Sequence, residues 1–525
     1  MPTTKAILMA SVAMLGLATS AYADDDRGRP QAQRAQHVLL LSVDGMHEVD
    51  LRLWIANHPT GTLAALAKRG TVYKNAYTTA PSDSFPGMLA QATGGTSKST
   101  GVFYDDSYER TFFAPNSGCV GTPGAETQYA ENIDYNQKDI TAGGTLGKPL
   151  TQIDPANLPQ RLVNGVCTVV YPHQFIQTNT MFEVLKAHGL HTAWSDKHPA
   201  YEIMNGPSGQ GIEDLYTPEI NSQIPGDPKA EDNTTSFSAV RNYDQIKVTA
   251  IIHEIDGKDS TGHVVNGYTP AIFGMNFQAV SVGQKLAKAG YQDDTSYIGG
   301  YLDAAGTPGN ALTRQLQFID DSVGSMVREL KLQNLYDNTV VIISAKHGQS
   351  PIDRTLRRAI PDTYAAIASN GPNFFDVADD VALIWLDPAT RTPAVYAQTL
   401  AKLKAAKAAL GIDYIVTREE LAEIYRDPFA DTRTPDFFVV PNKGVIYTGG
   451  SKLAEHGGVA DDDRHVAMLV SAAGLNGNTV GQTVFTTQIA PTILSTLRVS
   501  PYELQAVRRE GTEVLPGLNG RQHDE

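Results

Sequence analysis

The chain has 525 residues, of which 19% are charged and 41% hydrophobic, and a formal net charge of −15. These proportions exclude a disordered chain, and the acidic balance argues against a nucleic-acid-binding groove, which needs basic clusters to neutralise phosphates. They do not exclude a small phosphate substrate, because a buried metal cluster can reverse the sign locally.

The first 23 residues read as a signal peptide. Lys5 supplies the positive start, Ala6 to Ala18 is apolar, and Ala21-Tyr22-Ala23 gives a small-x-small cleavage pattern before Asp24-Asp25-Asp26. The apolar run is too short for a comfortable membrane span, and no other stretch reaches the necessary length. The expected protein is therefore exported, periplasmic or secreted, with no membrane span after cleavage. Residues 24–36 read as a flexible leader.

His37 to Val43 is the first largely apolar run and reads as a buried strand, ending at Asp44-Gly45. Leu63 to Lys68 reads as helix, Val72 to Thr79 as strand and Ser84 to Thr93 as a short helix. Residues 104–175 are rich in Gly, Pro, Thr and Asn and read as an insertion or cap. They carry the only two cysteines, Cys119 and Cys167. In an oxidising compartment these form a plausible disulfide, with two buried free thiols as the alternative. Asn179 to His188 reads as helix and His191 to Ser195 as strand. Residues 198–245 form a second loop-rich insertion, and Val248 to Ile255 reads as a strand.

The clearest helix spans 311–333, where Leu312, Leu316, Ile319, Val323, Val327 and Leu330 recur at helical spacing. Strands follow at Thr339 to Ser344, Val381 to Leu386, Asp436 to Val440 and His465 to Ala472, with helices at Ala394 to Ala409 and Thr487 to Leu497. Residues 501–525 read as a C-terminal tail. Alternating elements with strands apolar on both faces predict an α/β fold, a mostly parallel sheet covered by helices on both sides.

Several segments place chemistry-bearing residues at strand ends or turns: Asp44-Gly45, Pro81-Ser82-Asp83-Ser84-Phe85-Pro86, Lys346-His347-Gly348 and Glu455-His456-Gly457, with a weaker one at Asp256 to His263. Each has a plain alternative. Asp44 and Ser84 are good helix caps, and His347 and His456 fit satisfied structural histidines. Their order along the chain carries more weight than any one of them.

In that order the sequence resembles the type I phosphodiesterase/nucleotide pyrophosphatase branch of the alkaline-phosphatase superfamily. The resemblance runs from about residue 37 to about residue 500 and rests on Val43-Asp44-Gly45, the turn at 81–86, the strand and His-Gly at 339–348, Arg433-Thr434-Pro435-Asp436 and the run from Thr486 to Leu494. It implies an alkaline-phosphatase-like three-layer sandwich as one catalytic domain over 37–500. It also implies a hydrolase of phosphoric esters acting on a small-molecule substrate, with one or two divalent ions per chain, zinc or else manganese. Carried over, Ser84 is the nucleophile, Asp44 and His347 ligate the metal on its side, and Asp259, His263 and His456 ligate the other.

The family's Asp-His-Gly is here Lys346-His347-Gly348, and an ammonium has no lone pair to give a metal. Asp105 stands where a phosphate-binding Asn is expected, and Gly87 replaces a second Asn. Lys346 is thus expected near the nucleophile-side metal position, paired with Asp44 or Asp105. Either Asp105 becomes the missing ligand, or the ammonium replaces that metal and eases ionisation of Ser84. Two other readings stay open: a degenerate member that binds a ligand without turnover, and a phosphonate or phosphomonoester hydrolase. The Phe-Pro-Gly-Met-Leu stretch after Ser84 does not fit a sulfatase.

Overall fold

A computed structural model describes residues 35–128, 133–264, 267–361 and 374–518. The expected signal peptide and nearly all of the leader lie outside these residues. Strand β1 (His37–Val43) is the hub, pairing in parallel with β5 (Ile272–Phe277) on one side and β6 (Thr339–Ser344) on the other. The remaining strands are β2 (Gly70–Tyr77), β3 (Ala193–Ser195), β4 (Asp214–Tyr216), β7 (Met468–Ser471) and β8 (Asn478–Phe485). The eight-stranded order is β8-β2-β7-β6-β1-β5-β3-β4, and β7 alone runs against its neighbours.

Side chains alternate across the sheet, so β1 feeds two cores. Val38 and Leu40 face one core with α3 (Ser84–Thr93) and the helix Ile489–Thr496. Leu39, Leu41 and Val43 face the other, with α5 (Phe237–Ile255) and α7 (Asn310–Leu332). The result is the expected three-layer sandwich. A second, four-stranded antiparallel sheet at Phe374–Ala378, Ala382–Leu386, Ile412–Val416 and Phe437–Pro441 has its own apolar packing.

Three expectations fail. Val248 to Ile255 is not a strand but the last two turns of α5. Its β-branched run is misleading; Val248, Ile251 and Ile255 are buried at helical spacing, and Ser236 caps the start by accepting from the Ala239 amide. The second insertion therefore stops at α5 rather than at 245. Strand β5, buried along its length at the sheet centre, was not anticipated as an element. Residues 501–518 are no loose tail either, since Leu504, Val507 and Leu515 enter the first core.

The first insertion holds two hairpins, Asp106–Glu109 with Ala125–Gln128 and Gln160–Val163 with Val166–Val169. Cys119 and Cys167 are joined by a disulfide. Arg433 and Asp436 form buried ion pairs: Arg433 with Glu109 at 2.7 Å, and Asp436 with Arg110 at 2.7 Å and Arg391 at 2.6 Å. They tie the insertion to the second sheet. Among the described residues no helix is long and apolar enough to cross a membrane.

Candidate active site

Parallel strands end at one edge, and open α/β sheets gather ligand sites there. Asp44 follows β1, Asp196 and Lys197 follow β3, Gln278 follows β5, and Lys346 and His347 lie just past β6. Ser84 opens α3. Asp83, not Ser84, is the N-cap, its Oδ1 accepting from the Phe85 amide at 3.1 Å. Ser84 is therefore spared that duty and presents its hydroxyl at a helix N-terminus, where the dipole favours an anion.

Four groups meet around Asp44, which is 1% exposed. Its Oδ2 lies 3.2 Å from Lys346 Nζ and 3.8 Å from both Lys197 Nζ and His347 Nε2, and accepts from Gln278 Nε2 at 2.5 Å. Burial would raise the Asp44 carboxyl, but Lys346, then His347 and Lys197, and the Gln278 hydrogen bond outweigh it and hold it below the usual carboxylate range. Asp44 Oδ1 has no hydrogen-bond partner. Lys346 is fully buried, and the cost of burying its ammonium, opposed by Asp44, brings it down to about 8. The same ammonium donates to the Tyr201 hydroxyl at 2.7 Å.

Ser84 Oγ lies 3.4 Å from His347 Nε2 and accepts from Lys197 Nζ at 3.3 Å. His347 Nδ1 is 2.9 Å from the Gly348 carbonyl, which can only accept, so Nδ1 carries the hydrogen of the neutral ring. Nε2 is left as a bare acceptor facing Ser84. Burial first, and the nearby lysines after it, push the His347 imidazole down to about 3, so it is neutral near pH 7. His456 packs against it, ring centroids 4.2 Å apart and the rings tilted by 43°, and its Nδ1 lies 3.6 Å from Asp83 Oδ2. Neither of these two atoms has a hydrogen-bond partner. Burial and the charge of Asp105 raise the Asp83 carboxyl. Asp105 thus faces Asp83; the partner of Lys346 is Asp44.

The structure brings together Asp44, Ser84, Lys346, His347 and His456, with Asp105 beside them. It does not bring Asp259 and His263. They sit in a loop at the opposite edge of the sheet, near the starts of β3, β4 and β5 and lining a cavity with His191, Thr192 and Pro270. A strand's length, roughly 17–20 Å, separates the two edges. The reason is the misread helix: the segment follows α5, not a strand, and so emerges on the wrong side. Asp259 instead closes a turn, accepting from the His263 amide at 2.8 Å.

The residues present do not fit a two-metal centre. Among the described residues no group of three or more His, Cys, Asp and Glu side chains is placed to hold a metal ion. On the nucleophile side the carboxylate and imidazole donors are Asp44 and His347, and two ammonium groups already contact that carboxylate. On the other side, of the three expected ligands only His456 is present.

Lys197, Tyr201, Gln278 and Asp83 were not anticipated. The signal for Lys197 was legible: Ser195-Asp196-Lys197-His198 follows a predicted strand, the same context that marked Asp44. Gln278 was hidden because its strand was.

A family model for type I phosphodiesterase/nucleotide pyrophosphatase matches residues 38–463. The chain belongs to this family. With membership comes the reaction class, hydrolysis of phosphoric esters. No curated protein matches this family member in sequence. Among solved structures, it is similar to murine ectonucleotide pyrophosphatase/phosphodiesterase 5 at 14% identity, covering 89% of this chain and 96% of that one, with a TM-score of 0.54. It is similar to wild-type alkaline phosphatase PafA at 15% identity, covering 90% and 96%, with a TM-score of 0.55. A phosphonoacetate hydrolase from Sinorhizobium meliloti 1021 aligns at 12% identity over 88% and 95%, with a TM-score of 0.50. At these identities the likeness shows the alkaline-phosphatase-like fold.

Proposed function

We propose that this phosphodiesterase-family protein is an exported hydrolase of small phosphodiesters that uses Ser84 as its attacking oxygen. The observation that carries the reading is the setting of Ser84 Oγ, between the bare Nε2 of His347 and the ammonium of Lys197 at a helix N-terminus. A base to take the proton and a cation to stabilise the oxyanion are what a seryl nucleophile requires.

In the first step the Ser84 Oγ–H bond breaks toward His347 Nε2, Oγ bonds to phosphorus, and the ester bond to the leaving oxygen breaks. His347 returns its proton to solvent, and the leaving oxygen takes one from solvent and departs as the alcohol. Water then adds to phosphorus, the bond to Ser84 breaks, and a proton returns to Oγ. Lys197 holds the attacking oxygen and, with Lys346, balances its charge.

A cavity of about 660 Å³ beside the cluster, lined by four lysines (Lys138, Lys197, Lys285 and Lys452) and four carboxylates (Asp105, Asp232, Asp379 and Glu455), has room for both arms of a diester. Export is supported by the Cys119–Cys167 disulfide, since such bonds persist in oxidising compartments.

Turnover of bis-p-nitrophenyl phosphate and p-nitrophenyl phosphate by the parent and by Ser84→Ala tests the reading. Faster diester cleavage is expected, with a loss of about a thousandfold or more in the alanine variant. Undiminished turnover without the hydroxyl would end the proposal.

A further inference from the structure

We infer that two lysine ammonium groups, Lys346 and Lys197, stand where a divalent cation would activate Ser84, so that the centre works without a bound metal. This rests on Ser84 being the attacking oxygen, and extends that reading to what replaces the ion.

The geometry is that of a cation site occupied by side chains. Both ammonium groups approach one oxygen of Asp44, at 3.2 and 3.8 Å, and Lys197 also donates to Ser84 Oγ at 3.3 Å. Lys346 donates to the Tyr201 hydroxyl at 2.7 Å. Together they carry the formal charge of one divalent ion and touch the carboxylate and the hydroxyl that such an ion would bridge. The Gln278 amide occupies the same carboxylate oxygen and brings no negative charge.

A metal ion binds a carboxylate oxygen at about 2.0–2.2 Å. Placed on Asp44 it would sit within a few ångströms of both ammonium groups, in a site buried from water that would otherwise screen the repulsion. At the second position Asp259 and His263 are missing, since they lie at the other sheet edge, and of the expected ligands only His456 is there, facing Asp83 at 3.6 Å. Lys346 is fully buried and cannot swing out to solvent without opening the core around Tyr201, whereas Lys197 is partly buried and lines the neighbouring cavity. Ammonium groups can stabilise an ionising seryl oxygen and a phosphoryl oxyanion as a cation does, though they supply no metal-bound hydroxide.

The test uses the full chain purified without added metal, its metal content by mass spectrometry, the shift of its Tm on adding zinc or manganese, and diester turnover with and without a chelator. Lys346→Asp is the comparison, since it removes one ammonium and supplies a carboxylate donor. The expected result is less than about 0.1 ion per chain, turnover within about twofold after chelation, and a zinc-dependent rise in Tm in Lys346→Asp but not in the parent. A parent holding about one or two ions per chain, losing turnover about tenfold or more on chelation and regaining it with zinc, overturns the inference. Should the parent cleave no ester, its metal content and Tm still decide this inference, and only the phosphoester reading fails. Should Lys346→Asp not fold, the parent's metal content decides alone.

Discussion

Replacing Lys346 by Met removes one ammonium from a buried carboxylate and leaves the other. With an effective dielectric near 20, a charge pair attracts by about 5 kcal/mol at the 3.2 Å of Lys346 and about 4 kcal/mol at the 3.8 Å of Lys197. Removing one partner of a buried pair costs about 3–5 kcal/mol, because the survivor is stranded. Here Lys197 and Gln278 remain on Asp44, so the lower end, about 3 kcal/mol, is expected. A chain of this size gains roughly 1 kcal/mol per degree of unfolding entropy, so Tm falls by about 3 °C. Adding Asp44→Asn removes the stranded charge and restores most of that loss, while turnover stays low because the oxyanion has lost its charge environment. Calorimetry and urea denaturation of the two variants read the stability, and diester turnover the rest. A Lys346→Met protein as stable as the parent, with no recovery in the double variant, would refute the assignment of Lys346 as the counter-charge of Asp44.

Turnover should fall as pH rises through about 8, because Lys346 is charged below that value and neutral above it; His347, held down to about 3, stays neutral across pH 5–8 and imposes no acidic limb there. A pH profile of kcat/KM still flat at pH 9.5 would contradict this. The double variant Asp259→Asn with His263→Gln should keep parental turnover within about twofold, since both residues lie at the far sheet edge; a loss of tenfold or more would mean they join the site. Replacing both Cys119 and Cys167 by Ser should destabilise by about 3–4 kcal/mol from the 48-residue loop they close, read as a lower Tm under otherwise identical conditions.

The layered α/β fold was legible because buried parallel strands and amphipathic helices write themselves as apolar runs and helical periods. Val38 to Val43 and the face of α7 are instances, and both lie where the pattern puts them. Residues 248–255 failed because a short β-branched run satisfies a strand and a helix equally, and the capping residue that decides it, Ser236, lies twelve positions upstream of the run. That error carried Asp259 and His263 to the wrong edge. The candidate cluster was half legible. Asp44, Ser84, His347 and His456 each sit beside a turn or a strand end. Lys197 and Gln278 matter through where β3 and β5 deliver them; the lysine could have been read from its place after the strand ending at Ser195, whereas Gln278 could not, because its strand was not anticipated.

On the proposed mechanism Ser84, flanked by an imidazole and an ammonium, becomes covalently attached to phosphorus. Rapid-quench intact-mass and peptide analysis of the full chain mixed with bis-p-nitrophenyl phosphate tests it most directly. A transient nitrophenyl phosphate adduct on Ser84 is expected, formed at the rate of the first nitrophenol release and absent in Ser84→Ala. Nitrophenol release at that rate with no adduct on any residue, or an adduct on another side chain, would contradict it.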